Sequence, residues 1–240
     1  MAQIKGVFFD LGGTLRIAED VPEHQERAKA RMAQLVGAQN VQDFIDMVEA
    51  RYQPYRDWAL GENKEAGDYE LWAKWLMPEL PEAKLREVCH ELTYQYRQVK
   101  GLRHVVEGGL EVIQTLHARG YQLGIISNLI GEDEIPNWLR DDGLEQYFDA
   151  VVLSSVCHIR KPDPRMYWMG CEKLGLTPDQ CASVADNLNR DITGAKAAGI
   201  GANILFISPE KLAKKTITDE NRPDYIVHRF TDILDLPMLK

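Results

Sequence analysis

Asp10 closes the apolar run at residues 4–9 and is followed by Gly12, Gly13 and Thr14. A carboxylate in that place can serve as a nucleophile that takes an acyl or phosphoryl group onto one oxygen. Three further polar groups stand at or just after apolar runs: Ser127-Asn128, Lys161 and Asp186. Asp10 and Asp186 together offer hard oxygen ligands to a divalent cation such as Mg²⁺. The Ser127 hydroxyl and the Lys161 ammonium suit phosphoryl oxygens and the charge that develops in transfer. Backbone N–H groups around Gly12, Gly13 and Thr14 can add donors. Each residue also has a plainer reading: turn chemistry for Gly12-Gly13 and Ser127-Asn128, a solvated loop for Lys161, and a loop or helix-start acid for Asp186 and Asp191. The ordered set favours chemistry over any of these taken singly.

For these groups to meet, the apolar runs must be strands of one parallel sheet, whose carboxyl ends share an edge. From about residue 107 the pattern alternates as that requires. Strands are expected over 122–126, 150–153, 182–185, 202–207 and 225–227, and helices over 105–120, 134–140, 164–174 and 191–198. Residues 16–100 read differently, as helix after helix: 23–36 behind Pro22, 41–52 ahead of Pro54, and 81–99, with no convincing strand. The fold class is therefore α/β, a Rossmann-like parallel core formed by 1–15 and 101–240, with an all-helical cap inserted at 16–100. The aromatics Tyr52, Tyr55, Trp58, Tyr69, Trp72 and Trp75 all fall in the insertion. They fit a small core of its own, with a ligand pocket or a dimer face as the alternatives.

The chain has 240 residues, 45% hydrophobic, with a net charge of −9. An acidic balance excludes a general nucleic-acid binder, which needs a basic footprint; a local basic pocket for one small phosphate stays compatible with it. Cys89, Cys157, Cys171 and Cys181 form no CxxC pair, so neither zinc nor a disulfide framework is signalled. No stretch has the form of a signal peptide or a membrane span. A cytoplasmic setting without membrane partners is expected, as a monomer or homodimer.

The motifs resemble those of the haloacid dehalogenase-like (HAD) hydrolase superfamily, in the subgroup with a helical cap after the first core strand. Phe8-Phe9-Asp10-Leu11-Gly12-Gly13-Thr14-Leu15 is similar to the first motif and Ile125-Ile126-Ser127-Asn128 to the second. Arg160-Lys161-Pro162-Asp163-Pro164 is similar to the third, and the run from Val184 to Gly199 to the fourth. The resemblance implies an Mg²⁺-dependent phosphohydrolase acting on a small phosphorylated substrate. In it, Asp10 is nucleophile and metal ligand, Ser127 and Lys161 bind the phosphoryl group, and Asp186 is the second metal carboxylate. The Gly12 carbonyl is a further ligand, Thr14 orients the first loop, and Asp191 stands behind the site near Lys161.

One departure stands out. The resemblance implies a general acid at position 12, a function worth ~10²–10⁴-fold, and glycine cannot supply it. Three readings follow. In the first, an acid comes from elsewhere, with His24, Glu19 and Asp20 nearest in sequence. In the second, the chemistry differs, as in C–halogen or phosphonate cleavage, the latter needing a cap amine such as Lys29, Lys64, Lys74 or Lys84. Or the chain is a weak catalyst used for binding or regulation.

Overall fold

The computed structural model describes residues 2–240. Its centre is a six-stranded parallel sheet. The strands are β1 (Gly6–Phe9), β4 (Gln122–Ser127), β5 (Ala150–Leu153), β6 (Cys181–Ala185), β7 (Ala202–Phe206) and β8 (Tyr225–Val227), in the order β5-β4-β1-β6-β7-β8. A separate antiparallel ribbon pairs β2 (Arg16–Glu19) with β3 (Leu102–Val105). β1 lies between β4 and β6 and is buried throughout, which explains its unbroken apolar run.

The pleat divides the core. Val7, Phe9, Leu123, Ile125, Ala182 and Val184 face one layer, which includes α5 (Gly109–Ala118), α6 (Glu134–Asp141) and the C-terminal Phe230, Ile233 and Leu239. Phe8 and Ile126 face the other, against α8 (Arg165–Leu174) and α9 (Thr193–Ala197). Alternate residues thus serve opposite faces, as period two demands. The short helix α7 (Ser154–Cys157) leads from β5 toward Lys161.

The insertion holds α1 (Pro22–Val36), α2 (Val41–Glu62), the single turn α3 (Asp68–Glu70) running into a π-helical stretch at Leu71–Leu76, and α4 (Glu82–Val99). Its aromatics build its own core. Tyr55, Trp72 and Tyr96 are fully buried, Tyr52 packs edge-on to Tyr96, and the Trp72 Nε1–H donates to Thr93 Oγ1 at 2.8 Å. No helix among the described residues is long and apolar enough to cross a membrane.

The structure corrects three expectations. Residues 16–19 are a strand in a stretch expected to hold none, and 102–105 are its partner, so the helix expected from 105 begins at Gly109. Each strand is four residues long, half-exposed, and finds its partner more than 80 residues away, so no local pattern announces it. α2 also runs through Pro54 to Glu62, because burial of Tyr55 and Ala59 in the insertion's core offsets the lost backbone bond. The helix expected at 191–198 opens as a π-turn, Leu188–Ile192, and only Thr193–Ala197 is regular.

Candidate active site

Register brings the polar groups together. Phe9 is level with Ile125 of β4 and Val184 of β6, so the next residues place Asp10 between the ends that carry Ser127 and Asp186. After Asp10 the chain turns tightly: Thr14 N donates to Leu11 O at 3.0 Å and Leu15 N to Asp10 O at 3.2 Å. Gly13 has φ +81°, and a β-carbon there would come within 2.5 Å of Asp186 Oδ2. Only glycine fits that position. Gly12 differs: its φ is ordinary and a β-carbon would meet nothing within 4 Å.

Lys161 is the hub. Its ammonium lies 2.7 Å from Asp10 Oδ1, 2.6 Å from Asp191 Oδ1 and 2.7 Å from the Ile126 carbonyl, with all three side chains buried. Asn128 fixes the loop that carries it: its Oδ1 accepts from Lys161 N at 2.8 Å and its Nδ2 donates to Lys161 O at 2.9 Å. Ser127 Oγ and Thr14 Oγ1 approach opposite oxygens of Asp10, each at 3.4 Å. The amide of Asn128 is therefore spent on Lys161. The Gly13 and Thr14 N–H groups, expected as phosphate donors, are spent inside the loop, Gly13 N donating to Arg16 O at 3.0 Å.

Arg190 is a member that the sequence reading left unassigned. Asn187 caps the π-turn by accepting from Arg190 N, and the guanidinium then stands 2.8 Å from Asp191 Oδ2 and 3.6 Å from both Asp10 Oδ2 and Asp186 Oδ1. The signal available was its spacing of four from Asp186 on a helical turn. Burial opposes ionisation of Asp191, but Lys161 and Arg190 hold its carboxyl below the usual range. Burial, then repulsion from Asp10 and Asp191, pushes Asp186 up to about 6.

A cation fits this arrangement. Asp10, Asp186 and Asp191 each offer an oxygen within 4.8 Å of the others, and buried Asp186 Oδ1 has no hydrogen-bond partner. Three carboxylates face two cationic side chains, which leaves negative charge for a hard dication to neutralise. Two cavities lie near the cluster, one lined by its own Asp186 and the other by sequence neighbours of Ser127 and Lys161. One, of about 460 Å³, opens on Gly13 and Asp186 and is lined by Lys211, Lys215 and His228. The other, of about 150 Å³, lies between insertion and sheet and is lined by Asn128 and Arg160 among others.

The other acids and amines named from sequence lie elsewhere. His24 pairs with Gln98 at 3.1 Å, and Glu19 stands 4.0 Å from His104 on the ribbon. Lys29, Lys64, Lys74 and Lys84 each pair with a nearby glutamate of the insertion, Glu26, Glu62, Glu70 and Glu87.

Residues 4–199 match the family model for haloacid dehalogenase-like hydrolase. The chain belongs to this family. It is 27% identical over 159 residues to pyrophosphatase PpaX of Halalkalibacterium halodurans, a match spanning 64% of this chain and 72% of the relative. Two solved structures share its fold. The 2-haloacid dehalogenase from Pseudomonas syringae pv. Tomato DC3000 is 20% identical with a TM-score of 0.65, covering 97% of each chain. The HAD hydrolase YfnB from Bacillus subtilis, a structure bound to magnesium, is 19% identical with a TM-score of 0.60, covering 98% of each. At such identity the two structures speak for the fold alone. The chain is thus a hydrolase of the haloacid dehalogenase-like family in which one lysine bridges Asp10 and Asp191.

Proposed function

We propose that this hydrolase is an Mg²⁺-dependent phosphohydrolase that passes a phosphoryl group from a small phosphorylated substrate to Asp10 and then to water. One observation carries the reading: Lys161 bridges Asp10 and Asp191 while Asp186 presents an oxygen with no hydrogen-bond partner beside them. That is an anion-receiving site next to a cation-receiving one, which phosphoryl transfer requires. The pyrophosphatase relative supports the same class.

Asp10 attacks phosphorus, the bond to the leaving oxygen breaks, and an aspartyl-phosphate forms. Lys161, held by Asp191 and by Asn128, presents its charge to the phosphoryl oxygens, and Ser127 Oγ stands ready to donate to them. Asp10, Asp186 and the Gly12 carbonyl would hold Mg²⁺, which would supply positive charge next to the phosphoryl oxygens. Position 12 offers the leaving oxygen no proton, so the rate depends strongly on how basic that oxygen is. The carboxylate at Asp186 weighs against a metal-free dehalogenase, and the paired lysines of the insertion weigh against an amine-dependent phosphonate cleavage. Free thiols and the acidic surface fit a reducing, cytoplasmic setting.

The test uses p-nitrophenyl phosphate, whose leaving group departs without a proton. Turnover should require Mg²⁺ and vanish in Asp10→Asn. Equal turnover after chelation, or an active Asp10→Asn variant, would overturn the reading.

A further inference from the structure

The cavity of about 150 Å³ between insertion and sheet begins one residue from each phosphoryl-facing group. Asn128, next to Ser127, lines it, as does Arg160, next to Lys161. The same wall carries Arg97, Lys100, Arg103 and Tyr96. A chain of net charge −9 has therefore set four cations around one small space.

Their charge is only partly balanced, because three of them have carboxylate partners and Arg103 has none. Arg160 is bound by buried Glu65, Lys100 by Glu49, and Arg97 by buried Glu134, which Arg16 also claims at 3.0 Å. Arg103 has no carboxylate partner among the described residues; its Nη1 donates only to the main-chain oxygens of Arg97 and Gly101. Burial, then repulsion from Arg103 and Arg16, pushes the Arg97 pKa down, as expected where guanidiniums crowd together in a buried wall. Tyr96, on the same wall, is 1% exposed. A buried guanidinium with no carboxylate partner, in a wall that holds three further cations, favours an anion in the space they line.

Resting on the phosphoryl-transfer reading, we infer that this cavity receives the leaving fragment, that the fragment is itself anionic, and that the substrate is a small phosphoanhydride. Two features of the site converge on that class. The cavity lies below the roughly 300–1,000 Å³ of drug-sized ligand sites, so it suits a second phosphate with little attached. A phosphate leaving group also needs no proton, and Gly12 has none to give. Attack forms the Asp10–phosphorus bond and breaks the bond from phosphorus to the bridging oxygen. The electron pair leaves with that oxygen on the second phosphate, whose charge Arg103 and Arg97 receive. Water then cleaves the aspartyl-phosphate, releasing inorganic phosphate and one proton and restoring the Asp10 carboxylate.

The experiment compares kcat/KM for inorganic pyrophosphate, p-nitrophenyl phosphate and glycerol 2-phosphate. Glycerol 2-phosphate, with a basic and uncharged leaving group, should fall about 10²-fold or more below pyrophosphate. Arg103→Gln should lower the ratio of pyrophosphate to p-nitrophenyl phosphate by about tenfold or more, with partial recovery in Arg103→Lys. Methylenediphosphonate should inhibit the unmodified enzyme at least about tenfold more tightly than methylphosphonate, a readout that needs no variant. An unchanged ratio in Arg103→Gln, or equal inhibition by the two phosphonates, would overturn the inference and leave the phosphohydrolase standing. Loss of p-nitrophenyl phosphate turnover from the unmodified enzyme would instead remove both.

Discussion

The ammonium of Lys161 lies 2.7 Å from Asp10 Oδ1, and neither side chain reaches solvent. This contact joins the third sequence motif to the first across 151 residues. Lys161→Met would leave Asp10 and Asp191 facing each other as buried carboxylates with one cation fewer. Breaking a buried pair in this way costs roughly 3–5 kcal/mol. Urea unfolding should register that loss, and p-nitrophenyl phosphate turnover should fall at least about 10²-fold.

Gly12 and Gly13 should answer substitution oppositely. Space around Gly12 is open and its φ is ordinary, so Gly12→Asp should leave the thermal midpoint unchanged and raise turnover of glycerol 2-phosphate by about 10² or more. Gly13→Ala meets a left-handed φ and the Asp186 carboxylate at once. It should lose about 1–2 kcal/mol from strain alone and bind Mg²⁺ more weakly. Melting curves with calorimetric Mg²⁺ titrations check both.

Arg190 occupies the edge where Asp10 Oδ2 and Asp186 Oδ1 meet, 3.6 Å from each. A guanidinium there repels a dication held by the same oxygens. Arg190→Gln should tighten Mg²⁺ binding by about tenfold, the equivalent of about 1.4 kcal/mol. Titration calorimetry decides it; weaker binding would mean that Arg190 serves the metal site by holding Asp191 in place.

The insertion's His90 and Asp68 meet Glu132 and Asp133, just before α6: His90 Nδ1 lies 2.8 Å from Asp68 Oδ2, with Asp133 Oδ2 at 3.5 Å and Glu132 beside them. Burial opposes protonation of His90, but the bond to Asp68 and the charges of Asp68, Asp133 and Glu132 outweigh it and raise its pKa above 6.5. A raised pKa means stability that is fully present below 6.5 and lost as pH climbs through the folded value. Burial raises Asp68 as well, with the same sign and a lower window that starts at its ordinary 3.8. The melting temperature should therefore fall as pH rises from about 6 to 8, and His90→Asn should flatten that slope.

Much of this was legible in the sequence because the groups sit where strands end. Asp10, Ser127 and Asp186 each follow an unbroken apolar run, and parallel pairing alone brings such ends to one edge. Lys161 was legible only through its motif, since its position depends on Asn128 and on the pairing of Asn63 O with Arg160 N at 2.9 Å. The ribbon of β2 and β3 was hidden because its four-residue strands pair across the whole insertion. The cationic cavity was hidden for the same reason. Arg97, Arg103 and Arg160 lie on different elements and look like ordinary surface charge until the fold buries them.

The central claim is that Asp10 carries the phosphoryl group, and intact-protein mass spectrometry during turnover tests it most directly. With glycine at position 12 there is no base to activate water, so transfer should outrun hydrolysis and the adduct should accumulate. The account predicts a gain of one phosphoryl mass with p-nitrophenyl phosphate and Mg²⁺, mapped to the peptide bearing Asp10 and absent from Asp10→Asn. Steady turnover with no adduct, or an adduct that persists in Asp10→Asn, would contradict it.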